Sequence, residues 1–166
     1  MMSSVGNDDQ ALTIDRGWFM ARFPGIVATY MDARVDDASY ARFLFALAED
    51  IDGSSLQQRR GVLYEVPEPG VVGADRRKAL GLLLDARRER LGRITAGYVL
   101  VTPSAIARGV LTAVFWLAPP PYETHVNATL RDAFVWLAQR VPQLNAAESE
   151  HTYLNVRNSA LTKMPP

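Results

Sequence analysis

The chain has 166 residues, 48% of them hydrophobic and 22% charged, a length and composition that suit one domain with a single core. Eighteen basic residues balance eighteen acidic ones, so the total charge calls for neither a nucleic acid nor a membrane surface as partner. There is no cysteine, which excludes a disulfide framework and a thiol nucleophile. No apolar run approaches the ~18 residues of a spanning helix, so membrane insertion is not expected.

Residues 1–10 are small and polar without periodicity and read as a disordered tail outside the core. They lack the basic flank and apolar segment of a signal peptide, which makes the cytoplasm the expected location. Ala11 to Ile14 and Trp18 to Phe23 read as short strands around a turn at Asp15-Arg16-Gly17. Ile26 to Tyr30 follows Pro24-Gly25, and because proline cannot donate to a ladder the whole stretch is expected as a hairpin or meander at the edge of a sheet. A helix then starts near Asp36 or Asp37, with Tyr40, Phe43, Leu44, Leu47 and Ile51 on one face, and ends at Asp52-Gly53. Its acids gather at its two ends.

Val62 to Val66, VLYEV, reads as an inner strand interrupted by Glu65. Acidic side chains are seldom fully buried, so Glu65 is expected at the strand mouth or facing solvent rather than as a catalytic carboxylate. After the turn-rich PEPGVVG, Asp75 is expected to cap one helix running to about Leu91 and stopped by Gly92. Leu80, Leu83, Leu84 and Leu91 supply its buried face. The other face carries Arg76, Arg77, Lys78, Arg87, Arg88 and Arg90, followed by Arg93, seven cations against Asp75, Asp85 and Glu89. The rest of the chain therefore carries the matching negative excess, and the helix start is a candidate site for an anion or an acidic protein surface, set against the plainer reading of a solvated face.

Ala96 to Ala118, AGYVLVTPSAIARGVLTAVFWLA, is the most regular unit of the chain. The run Tyr98 to Val101 suits a strand buried on both faces and placed centrally; Ser104 can cap a helix, and Pro119-Pro120-Pro121 ends it. Thr124 to Ala128 reads as a last strand and Thr129 caps a final helix that Pro142 ends. Phe115 and Trp116, with Trp136 in the final helix, form a candidate apolar docking patch for a partner or a second copy of the chain, against the alternative of a wide core face. Residues 143–166 form a C-terminal extension in which HTYLNVRN could be an added strand or a docked segment, and LTKMPP a mobile end. His125 and His151 lie far apart, no metal-ligand spacing or phosphate-cradling glycine motif occurs, and no cofactor is expected.

These elements give an α/β fold: a single mixed, mostly parallel sheet with an N-terminal antiparallel hairpin and about four helices, in one domain over residues 11–142. Three pieces, VLYEVPEPG followed by a helix, AGYVLVTPSAIARGVLTAVFWL, and a short strand feeding a helix with Ala133 and Trp136-Leu137, resemble the STAS family of sulphate-transporter and anti-sigma-factor-antagonist domains. The resemblance is to its diverged stand-alone bacterial members and covers about Ala11 to Val141. It implies a non-enzymatic regulatory or protein-interaction module whose partner meets the third strand and the following helix, where a serine accepts phosphate. This chain has no Ser or Thr between Val62 and Leu84, with Asp75 at the helix start, so a phosphoserine switch does not carry over. The expected partner is a protein, with an acidic surface or as a homodimer; a module binding a small anionic or lipid-like ligand near Asp75, Arg76, Arg77, Lys78 and Arg87 is the alternative.

Overall fold

Three N-terminal strands form an antiparallel meander: β1 (Leu12–Asp15), β2 (Trp18–Phe23) and β3 (Ile26–Met31). The computed structural model describes residues 12–68, 73–109, 112 and 119–166. Gly17 makes the first turn with φ of 75°, and a Cβ there would lie 2.2 Å from the Val35 nitrogen, so only glycine fits. Pro24-Gly25 makes the second turn, where the missing donor of proline costs no ladder bond.

From β3 onward the sheet is parallel. It continues through β4 (Arg60–Glu65), β5 (Thr95–Val101) and β6 (Thr124–Asn127), giving one six-stranded mixed sheet in the order β1-β2-β3-β4-β5-β6. The meander therefore forms one edge as expected, but β3, whose six residues are all buried, lies inside the sheet. The strand expected to be central, β5, is instead the last but one, although Val99, Leu100 and Val101 are buried.

Helices cover both faces. On one lies α1 (Asp37–Gly53), capped by Asp36, whose carboxylate accepts from the Ser39 amide at 2.7 Å. With it lie α2 (Ala74–Asp85) and α3 (Arg88–Ile94). Tyr40 and Phe43 of α1 and Leu80 of α2 pack with Trp18, Met20, Val27, Val62 and Tyr64; Leu91 and Ile94 of α3 pack with Ile51. On the opposite face α4 (Leu130–Ala138), capped by Thr129, and α5 (Ala146–Lys163) bury Phe134, Leu137 and Tyr153 against Phe19, Tyr30, Leu63 and Val99. The alternation along β4 follows from strand geometry, with Leu63 and Glu65 toward α4 and α5 and Val62 and Tyr64 toward α1.

Four expectations are corrected. The basic helix is two helices, broken at Ala86-Arg87; its N-cap is Gly73 rather than Asp75, no side chain caps it, and Gly92 lies within α3. HTYLNVRN is not an added strand but the middle of the docked helix α5, and the end of the chain, expected to be mobile, is docked too, with Met164 buried against the core. Five bounded helices stand among the described residues instead of about four, and residues 105–109 are helical besides, capped by Ser104 through the Ala107 amide. Glu65 ends β4, at the strand mouth, but it does not face solvent: it is buried, at 8% exposure.

Candidate functional site

The chain keeps its internal space between the sheet and the α1–α3 layer. Val27, Val62, Tyr64 and Tyr98 of the sheet form the floor, Phe43 and Leu47 of α1 one wall, and Leu80, Leu84 and Leu91 of α2 and α3 the roof of a cavity of about 70 Å³. Its lining is mostly apolar, with Thr29 beside Tyr64 and, at one end, Asp50, Arg60 and Thr95 as the polar groups besides the tyrosines. Burial holds the Tyr64 and Tyr98 phenols above their ordinary value, so they stay neutral throughout the physiological range. Tyr64 spends its hydroxyl on Met31 Sδ at 3.4 Å.

The roof is pinned at both ends by arginines that reach the acidic ends of α1. At the entry to α2, Arg76 donates Nε and Nη2 to Asp37 Oδ1 at 3.1 and 2.7 Å and Nη1 to the Val35 carbonyl at 3.2 Å, with its guanidinium 5.4 Å from the Tyr40 ring centroid. Tyr40 in turn donates to the Arg76 carbonyl at 3.0 Å. At the other end Arg87 grips Asp52 with two bonds, at 3.0 and 2.8 Å, and these hold the Asp52 carboxyl below its ordinary value. Arg90 adds three bonds to the carbonyls of Ile51, Asp52 and Ser54, satisfying acceptors that the end of a helix leaves open. Arg76 and Arg87, two of the seven cations of this face, are thus paired with acids of α1.

Of the residues singled out in the sequence, Arg76 and Arg87 are these two pins, while Asp75, Arg77 and Lys78 are exposed on the first turns of α2. Trp136 is half-buried: His125 stacks on it at 5.4 Å, the Arg140 guanidinium lies 3.6 Å from its ring centroid, and its ring abuts Gly97. Phe115 and Trp116 lie outside the described residues.

A second polar group sits at the carboxyl ends of the parallel strands. Glu65 accepts from the Tyr153 hydroxyl at 2.5 Å and from Arg157 Nη1 at 2.7 Å, tying β4 to α5. Register places Tyr30, Glu65, Val101 and Asn127 side by side across β3 to β6. Burial, then Glu65, raises the Tyr153 phenol well above its ordinary value. Sequence reasoning missed this constellation because its two donors lie 88 and 92 residues from the acid. The groups that a hydrolytic site would combine are engaged separately: Glu65 with α5, Ser104 in a cap, His125 against Trp136.

Among the described residues no three His, Cys, Asp or Glu side chains converge to hold a metal ion, and no helix is long and apolar enough to cross a membrane. No family model matches the chain, and no curated protein matches it. Among solved structures it is similar to an uncharacterised protein of the DUF3478 family from Shewanella loihica PV-4, described as having a SpoIIAA-like fold, with 15% identity over 82% of this chain and 99% of that one and a TM-score of 0.40.

Proposed function

We propose that the chain is a non-enzymatic binding module that takes a small, largely apolar ligand in the cavity beneath α2 and α3. The observation that carries this reading is the cavity itself. Interiors are close-packed, and the voids they keep are few and small. Here a void of about 70 Å³ is walled by leucines and neutral phenols, under a roof helix, α2, with no fully buried residue. A helix that buries so little is held by its pins more than by its packing, and it can lift without dismantling the core.

The test is native mass spectrometry of the chain purified from its own host, beside the Leu84→Trp variant, which fills the cavity from the roof. An apolar adduct on the wild type that the variant lacks is the expected result. Absence of any adduct, with no rise in melting temperature across a screen of small apolar compounds, overturns the reading.

A second reading, a regulatory protein-interaction module, is favoured by the outer surface of the same layer. Leu82 on α2 and Phe45 on α1 are 65% and 66% exposed. Asp75, Lys78 and Leu82 share one face of α2 by their three- and four-residue spacing. Capture of a partner by the wild type that fails with Leu82→Ser supports this reading; equal capture by both removes it.

A further inference from the structure

Asp50 lies at the polar end of the cavity at 1% exposure and is gripped by two arginines. Its Oδ1 accepts from Arg22 Nε at 2.6 Å and from Arg60 Nη1 at 3.1 Å, and its Oδ2 accepts from Arg60 Nη2. One carboxylate thus faces two guanidinium groups, and the cluster keeps a net positive charge. Arg60 presents both terminal nitrogens to Asp50, which leaves Nε over; that nitrogen is buried and has no partner among the described residues. A buried donor without an acceptor costs free energy, and one on a charged group costs more. Arg60 also lines the cavity, on the sheet face shared by Val62 and Tyr64.

Resting on the ligand-binding reading above, we infer that the ligand is a small amphiphilic anion, its apolar body under the α2–α3 roof and its single carboxylate at Arg60. Charge complementarity selects the head group: among the described residues the cavity's only charged side chains are Asp50 and Arg60, the acid is already saturated by arginines, and the open hydrogen-bonding position is a cationic donor. A cationic head would meet two arginines and is rejected. A neutral body without a head would fill the apolar part and leave Arg60 Nε unanswered. The volume restricts the body to a chain of about three or four carbons, since about 70 Å³ is half of the roughly 150 Å³ cavity that one benzene occupies elsewhere.

The experiment is calorimetric titration of the full chain at pH 7 with butyrate and with 1-butanol, which share a chain length and differ in the head. Butyrate is expected to bind about tenfold or more tightly than 1-butanol, as a hydrogen bond to a charged group implies. Arg60→Met is expected to remove that preference while leaving the affinity for 1-butanol in place. Because that variant leaves Asp50 with Arg22 alone, Arg60→Met/Asp50→Leu is measured beside it, with the same loss of preference expected in a cavity free of charge. Equal affinity of the wild type for the two probes overturns the anionic head and leaves the apolar-ligand reading standing. A preference that survives in both variants overturns the role of Arg60, and failure of the wild type to bind either probe overturns the inference together with the reading beneath it.

Discussion

Tyr153 on α5 donates its hydroxyl to Glu65 on β4 at 2.5 Å, across a separation of 88 residues. This bond and the Arg157 pair beside it are the polar attachment of α5 to the sheet, set into an otherwise apolar contact between Tyr153, Phe19 and Phe134. Tyr153→Phe keeps the ring packing and removes one donor from a buried carboxylate. It is expected to lower stability by about 1–3 kcal/mol in urea denaturation, with Arg157→Met costing at least as much, because a buried acid then loses its countercharge. A Phe variant as stable as the wild type would show that the bond is not made.

The pins at Arg76 and Arg87 make a different kind of prediction. Each joins a partly exposed arginine to a well-exposed aspartate, and such pairs contribute about 1 kcal/mol or less to global stability. Arg76→Gln/Arg87→Gln is therefore expected to melt within a few degrees of the wild type. Amide exchange over α2, by contrast, should quicken in the variant, and in the wild type it should quicken as salt screens the pairs. Unchanged exchange over this helix would show that packing alone holds the roof.

Gly97 tests the other face of the sheet. A Cβ there would stand 2.8 Å from the Trp136 ring and 2.8 Å from Arg140 Cδ. Gly97→Ala is expected to push the indole off its stack with His125, to shift tryptophan fluorescence, and to cost about 1–3 kcal/mol as an overpacked contact does. Trp136→Leu in the same chain should recover part of that loss. Full stability of the alanine variant would place the indole elsewhere.

All six tyrosines have phenols held above their ordinary value of 10.0, chiefly by burial, Tyr30 and Tyr40 to about 12. A group whose folded pKa is raised contributes stability that is fully present below the unfolded value and is lost as pH climbs through the folded one. The chain is therefore expected to resist base up to about pH 10 and to lose stability between about 10 and 12, with phenolate absorbance rising together with the loss of helical circular dichroism. A tyrosine that titrates near 10 while the fold persists would contradict its burial.

Much of this architecture is legible in the chain because local signals and tertiary packing agree. Gly17 and Pro24-Gly25 mark the turns of the meander, Asp36 and Thr129 cap α1 and α4 as their types predict, and the alternation in VLYEV divides its side chains between two helical layers. The failures are long-range. β3 looks like an edge strand because Pro24 precedes it, yet the proline sits in the turn and leaves the ladder intact. α5 carries only Tyr153 and Ala160 fully buried, too sparse an apolar stripe to announce a helix, and without it the partners of Glu65 cannot be found. The basic face of α2 and α3 was readable as charge but not as intramolecular pairing, since Arg76–Asp37 and Arg87–Asp52 join residues 39 and 35 positions apart. The cavity has no local signature at all.

The junction between α3 and β5 sets how the roof can move. Ile94 closes the helix and Thr95 opens the strand, with no residue between them. Both are buried, and β5 is bonded on each side to its neighbours. The chain has no slack at that point, so α3 behaves as a rigid continuation of the sheet. Any lifting of the roof over the cavity would therefore fall to α2, upstream of the turn at Ala86-Arg87, where Arg87 is clasped by Asp52.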